Sequence, residues 1–327
     1  MKFLDKLNLR RFTKVAAVAA VGGTLFFGGT ATVSADSAGM NAFREAYLSQ
    51  RADIRIVDQD LSLISPNFHL DVDSKAQVNA NGVMLMSGEL SWTYTNLKRN
   101  YSTNNSIPFF IQQEGNNEMK FYVKRLGRWS YMQLPGLPAG IATLWKSTDN
   151  SLLMNNLDAV KDVDVIKDTA DMRVMKVTHD GQKIAAALEK QSEGSFANIS
   201  DAKSRDQQRE VFKRWMTAIS SNDIVFNWTV NKPDWETVTA AFDLTDIMRV
   251  YARYVLDEAA AGKIVLTDEE RDLLDAMGYY AELRSYTSRI DPRDEYKVQF
   301  PTDLAGAPEN DNALDDIFYE MTTVVQK

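Results

Sequence analysis

Few side chains in this 327-residue sequence could make or break bonds, and their spacing completes no catalytic or metal-binding motif. There are two histidines, His69 and His179, and no cysteine. His69 falls on the polar side of a strand-period pattern and His179 ends another, so both read as surface residues. Neither stands at a metal-ligand spacing. The lack of cysteine rules out a thiol nucleophile and a disulfide framework. Ser200 and Lys203 have the S-x-x-K spacing of some acyl-enzymes, but no K-T-G accompanies them and the stretch is a polar linker. Residues 309–316, "ENDNALDD", carry carboxylates for calcium, yet Leu314 stands where an EF-hand loop needs glycine. Acids at a helix start are the ordinary explanation. The pairs Asp71/Asp73 and Asp162/Asp164 read as solvated faces. The pattern argues against an enzyme and calls for no metal and no cofactor.

What the sequence offers instead is apolar surface at strand period. In "GVMLMSGELSWTYTN" (82–96), Met84, Met86, Leu90, Trp92 and Tyr94 alternate with Ser87, Glu89, Ser91 and Thr93. The preceding stretch 68–78 has Phe68, Leu70 and Val72 in the same phase, across the turn signal "NANG". Strands of eleven or more residues, about 35 Å at ~3.3 Å per residue, exceed the common length of about five or six. Long, adjacent, amphipathic strands predict a large curved antiparallel sheet with one apolar face, an α+β fold.

Three further strands, 107–113, 118–126 and 128–134, extend the meander. Phe121, Tyr122, Trp129 and Tyr131 place aromatics on both faces of the last hairpin and leave its phase open. Residues 54–64 carry Ile54 and Ile56, then Leu61 and Leu63 out of phase, which predicts a bulge. Helices are expected at 38–50, near 145–160, at 181–190 and 206–221. Another is expected from Leu244, where Ile247, Met248, Tyr251 and Val255 recur at helical spacing until Gly262. A short acidic helix (268–276), strands at 279–290 and 295–301, and a last helix close the chain. No linker divides it, so residues 36–327 read as one domain with helical insertions near 145–160 and 245–277.

Residues 1–35 look like a secretory leader. Lys2, Lys6, Arg10, Arg11 and Lys14 precede the apolar run "VAAVAAVGGTLFF", and Val33 and Ala35 stand at the small positions of a cleavage site. The destination implied is the periplasm, cell envelope or exterior. The net charge of −8 becomes more negative once that basic leader is removed, which argues against nucleic acid as a partner.

The order of these pieces resembles a family. A leader and helix are followed by a long meander, then "MKFYVKRLGRWSYMQL", "VMKVTHDGQKIAAALEK", "VNKPDWETVTAAFDLTD" and "YKVQFPTD". This layout is similar to the half-barrel of LolA and the LppX/LprG-like proteins. The resemblance implies a curved sheet with helices packed over its concave face and a role in holding acyl chains or other hydrophobic ligands. Many relatives are lipoproteins, and this chain has no cysteine to carry the lipid.

Strand phase alone picks the ligand wall: Phe68, Leu70, Val72, Met84, Met86, Leu90, Trp92, Tyr94, Phe121 and Val123. Met suits an adaptable apolar surface. Lys98, Arg99, Arg125 and Arg128, on loops expected at one end of the sheet, form a candidate basic rim for a membrane surface or an acidic envelope protein. Two readings stand: a carrier of a lipid or other hydrophobic small molecule, and a structural or interaction module of the envelope whose own helices fill the sheet.

Overall fold

The computed structural model describes residues 38–49, 54–79, 84–96, 100–113, 119–134, 157–196, 202–290, 297–310 and 317. Eleven strands form one open, curved antiparallel sheet, a half-barrel. The first six, β1 (Ile54–Ser65), β2 (Phe68–Asn79), β3 (Met84–Asn96), β4 (Tyr101–Gln113), β5 (Met119–Arg125) and β6 (Arg128–Leu134), make the meander. A second set follows: β7 (Val160–Asp168), β8 (Met172–His179), β9 (Ile224–Asn231), β10 (Thr237–Asp243) and β11 (Glu282–Ile290). The spatial order is β6-β5-β4-β3-β2-β1-β11-β10-β9-β8-β7. The last strand therefore joins the two sets by pairing with β1 on one side and β10 on the other.

Five helices accompany the sheet among the described residues: α1 (Ala38–Ser49), α2 (Gly181–Phe196), α3 (Ala202–Ser220), α4 (Thr245–Ala260) and α5 (Asp268–Tyr280). α2 to α5 pack one on the next; α4 touches β11, α5 touches β1 and α1 touches β7. α4 buries Ile247, Met248, Tyr251, Ala252 and Val255, the stripe its spacing predicts, and Tyr251 stacks on Trp215 of α3 at 4.3 Å. Gly262, at φ 71, ends it in the left-handed conformation that glycine adopts freely. A capping box between Thr267 and Glu270 starts α5. Arg173 fastens α1 to the sheet: it donates to Glu45 Oε2 and to Ala42 O, both at 2.9 Å, and pairs with Asp168.

Several expectations need correction. β1 pairs continuously with β2 and β11, without the predicted bulge; Val57, Gln59, Leu61 and Leu63 share the inner face, and Ile56 is buried from the other side. In the predicted helix near 145–160, the described part is a single 3-10 turn (Leu157–Ala159) leading into β7. Residues 145–156, the leader 1–35 and most of the predicted last helix lie outside the described residues. The acidic helix continues to Tyr280, so the strand begins only at Glu282.

The predicted strand at 295–301 is, in its described part, a strap on the outer face. Val298 N donates to Gln77 Oε1, Phe300 packs edge-on against Phe110 at 5.3 Å, and Lys124 pairs with Asp303 at 2.6 Å. The strap also covers the free side of β6, where Tyr131 N donates to Pro308 O and accepts at its carbonyl from Asn310 N. The opposite edge strand, β7, slips register twice against β8 and carries Lys161, Asp162, Asp164, Lys167 and Asp168. Both are devices that blunt an exposed edge.

Candidate functional site, the inner wall of the sheet

All ten predicted wall residues lie on one face of the sheet, and none is more than 8% exposed. Cross-strand pairing makes them neighbours: Tyr94 opposes Phe68, Trp92 opposes Leu70, and Leu90 opposes Val72. β4 fills the space between β3 and β5 with Ile107, Phe109 and Ile111, which pair with Leu90, Gly88 and Met86 on one side; Phe109 and Ile111 pair with Val123 and Phe121 on the other. Strand phase missed these three because Phe109 and Phe110 are adjacent and both apolar. Phe110 faces outward into a second cluster with Tyr122, Val298 and Leu304. The strap thus resolves the open phase of β5, with Phe121 inside and Tyr122 outside.

Gly88 lies between these rows. A Cβ there would fall 2.2 Å from Asp73 O and 2.8 Å from the Phe109 ring, so only glycine lets that ring lie against the strand. Beyond β1 the wall continues through Leu283, Phe242, Phe226, Trp228 and Met175.

Polar groups interrupt the wall. Gln59 opposes Ser74 on β2 and Thr287 on β11, and Ser285 opposes Leu61. Ser285 and Thr287 are each 2% exposed. Among the described residues, neither hydroxyl has a hydrogen-bond partner, and the same holds for the Trp92 indole Nε1. Trp228 on the same face is satisfied, donating to Thr237 Oγ1 at 3.0 Å. Sequence reading missed Ser285 and Thr287 because "ELRSYTSRI" has Leu283 as its single apolar inner residue, so its phase carries no apolar signal. Tyr94 OH accepts from Asn96 Nδ2 at 3.4 Å. Burial, with Tyr101 and Glu269 of α5 nearby, pushes its phenol above the ordinary value.

The histidines divide. His69 is exposed as expected, with Nε2 at 3.1 Å from Asp71 Oδ1 and 3.4 Å from Ser62 Oγ. Both contacts use the same ring nitrogen, so the imidazole cannot pass a proton between them as a catalytic triad does. His179, expected at the surface, is buried between the rings of Phe43 and Phe226, and burial pushes its pKa down to about 4. A strand end looks exposed in sequence; here α1 folds over it. Among the described residues no group of three or more His, Asp or Glu could hold a metal.

Of the basic rim, Lys98 and Arg99 lie outside the described residues. Arg125 and Arg128 oppose each other across the β5–β6 turn. Pairing of Phe109 with Val123 puts Arg125 level with Ile107, six residues short of the start of β4 at Tyr101. At ~3.3 Å per residue that is about 20 Å, so the β5–β6 turn lies well short of the level at which β4 begins. Lys124, beside them, is already paired with Asp303. On the outer face, Asp60, Lys176, Asn227, Asp243, Arg284 and Tyr286 line an open groove of about 600 Å³.

No family model matches the sequence, and no curated protein matches it. Among solved structures the chain is similar to LprF from Mycobacterium bovis. The TM-score is 0.37 at 10% identity, over 83% of this chain and 99% of LprF. A DUF1329 family protein from Desulfovibrio piger aligns over 63% of this chain and 77% of its own, with TM-score 0.20 and 9% identity. No described helix is long and apolar enough to cross a membrane.

Proposed function

We propose that this chain is an exported carrier that holds a lipid or another acyl-chain ligand against the inner wall of its sheet and performs no chemical step. An apolar wall alone would equally suit a filled core. The observation that favours a ligand is the set of buried donors in that wall: Trp92 Nε1, Ser285 Oγ and Thr287 Oγ1 have no partner among the described residues. Leaving a buried donor unmade costs about 1–3 kcal/mol, and native cores rarely tolerate several. A ligand with apolar chains and a few acceptor oxygens, such as an ester or carboxylic acid, would satisfy both kinds of surface. The leader-like residues 1–35 support export.

The second reading is an envelope interaction module. The near-complete burial of the wall supports it, since helices that fill the sheet leave a ligand no room without moving. Organic extraction of protein purified from its host, followed by mass spectrometry, separates the two. The carrier should release lipid, and Trp92 emission should shift when a fatty acid is added, a shift that Trp92→Phe removes. Protein that releases no lipid and does not respond to fatty acid would overturn the carrier reading.

A further inference from the structure

The β5–β6 connection is a two-residue turn formed by Leu126 and Gly127, with φ of 49° and 75°. Positive φ at both central positions is the type I′ geometry, which strongly favours Asn-Gly or Asp-Gly. A bulky side chain at the first position is strained, because its Cβ crowds the backbone in the left-handed region. Leu126 is also 99% exposed, so none of its apolar surface is protected from water. The chain thus bears strain and exposure together at one residue, and among the described residues no contact explains either. The flanking residues Arg125 and Arg128 are a directly opposed pair on the same face of the hairpin.

We infer that this tip is a membrane-contact element, in which Leu126 enters the apolar edge of an anionic bilayer while Arg125 and Arg128 meet headgroup phosphates. The chemistry favours a bilayer over a folded protein. A single leucine on a narrow convex turn offers far less than the ~800 Å² per partner of a stable protein interface. A bilayer needs no complementary shape. Two arginines on a chain of net charge −8 are a local exception that an anionic surface would attract. The inference stands apart from the carrier reading, since a lipid-free protein would carry the same tip.

Flotation with vesicles of mixed phosphatidylglycerol and phosphatidylcholine tests it, comparing wild type and variants in the same form so that any contribution of residues 1–35 cancels. Leu126→Asn places a residue suited to the left-handed region in the turn. It should melt no lower than wild type, yet bind the anionic vesicles about tenfold more weakly. Leu126→Phe should keep or strengthen binding. Arg125→Gln with Arg128→Gln should bring anionic binding down to the level seen with pure phosphatidylcholine, as high salt should for wild type. Equal binding by wild type and Leu126→Asn, or no binding by wild type, would overturn the assignment.

Discussion

Replacing His179 with leucine tests a buried titratable site beneath α1. The imidazole is buried between Phe43 of α1 and Phe226 of β9, and its pKa falls from 6.5 to about 4. In the unfolded chain it titrates near 6.5. Between those values the unfolded state binds the proton that the folded state refuses. The folded pKa is lowered, so stability is full above about pH 6.5 and drains away as pH falls toward 4. At ~1.36 kcal/mol per pKa unit, moving from pH 7 to pH 4.5 should cost wild type roughly 2–3 kcal/mol at this site alone. Leucine has no proton to accept and similar bulk, so His179→Leu should cost under about 1.5 kcal/mol at pH 7. Carboxylates also titrate in this window, but they do so in both proteins and cancel in the difference. Urea unfolding followed by tryptophan fluorescence at pH 7 and pH 4.5 supplies that difference. A stability gap between wild type and His179→Leu that is the same at both pH values would refute the reasoning.

Two further substitutions probe the packing around the wall. Arg214 Nε donates to Glu258 Oε2 at 2.5 Å in a pair buried between α3 and α4, so Arg214→Met should cost about 2–4 kcal/mol by leaving the carboxylate only the exposed Lys263 Nζ at 4.0 Å. Adding Glu258→Leu to Arg214→Met should restore most of that loss, and thermal unfolding of the single and double variants checks it. Gly88→Ala should destabilise by about 1–3 kcal/mol through its overlap with Asp73 O and Phe109, read as a lower denaturant midpoint at an unchanged slope.

The inner wall was legible where one face of a strand is apolar and the other polar. β2 and β3 alternate cleanly, so eight of the wall residues follow from period alone. Legibility failed where both faces are covered. On β4 and β5 the strap from 297 to 310 hides a second apolar surface, so Phe110 and Tyr122 look like wall residues and are not. It also failed where a strand has almost no core face: β7 buries Val163 alone in the middle of nine residues, and its sequence reads as solvated chain. His179 was out of reach because its burial comes from α1, distant in sequence, and the hydroxyls of Ser285 and Thr287 because β11 shows no apolar phase on its inner face.

The place of β11 sets a timetable for the chain. Ile56 of β1 pairs with Ile290, so the seam between the two halves of the sheet links residues more than two hundred positions apart. Until the polypeptide has been made through β11, β1 and β10 have no strand to join them, and each half keeps an open edge. Pairing across such long loops is slow, because the entropy of closing them is lost before the contacts are gained. The meander β1–β6 pairs through consecutive strands, but the single sheet is completed only in one late step. For the exported carrier proposed above, that schedule delays closure of the seam until the whole chain is available.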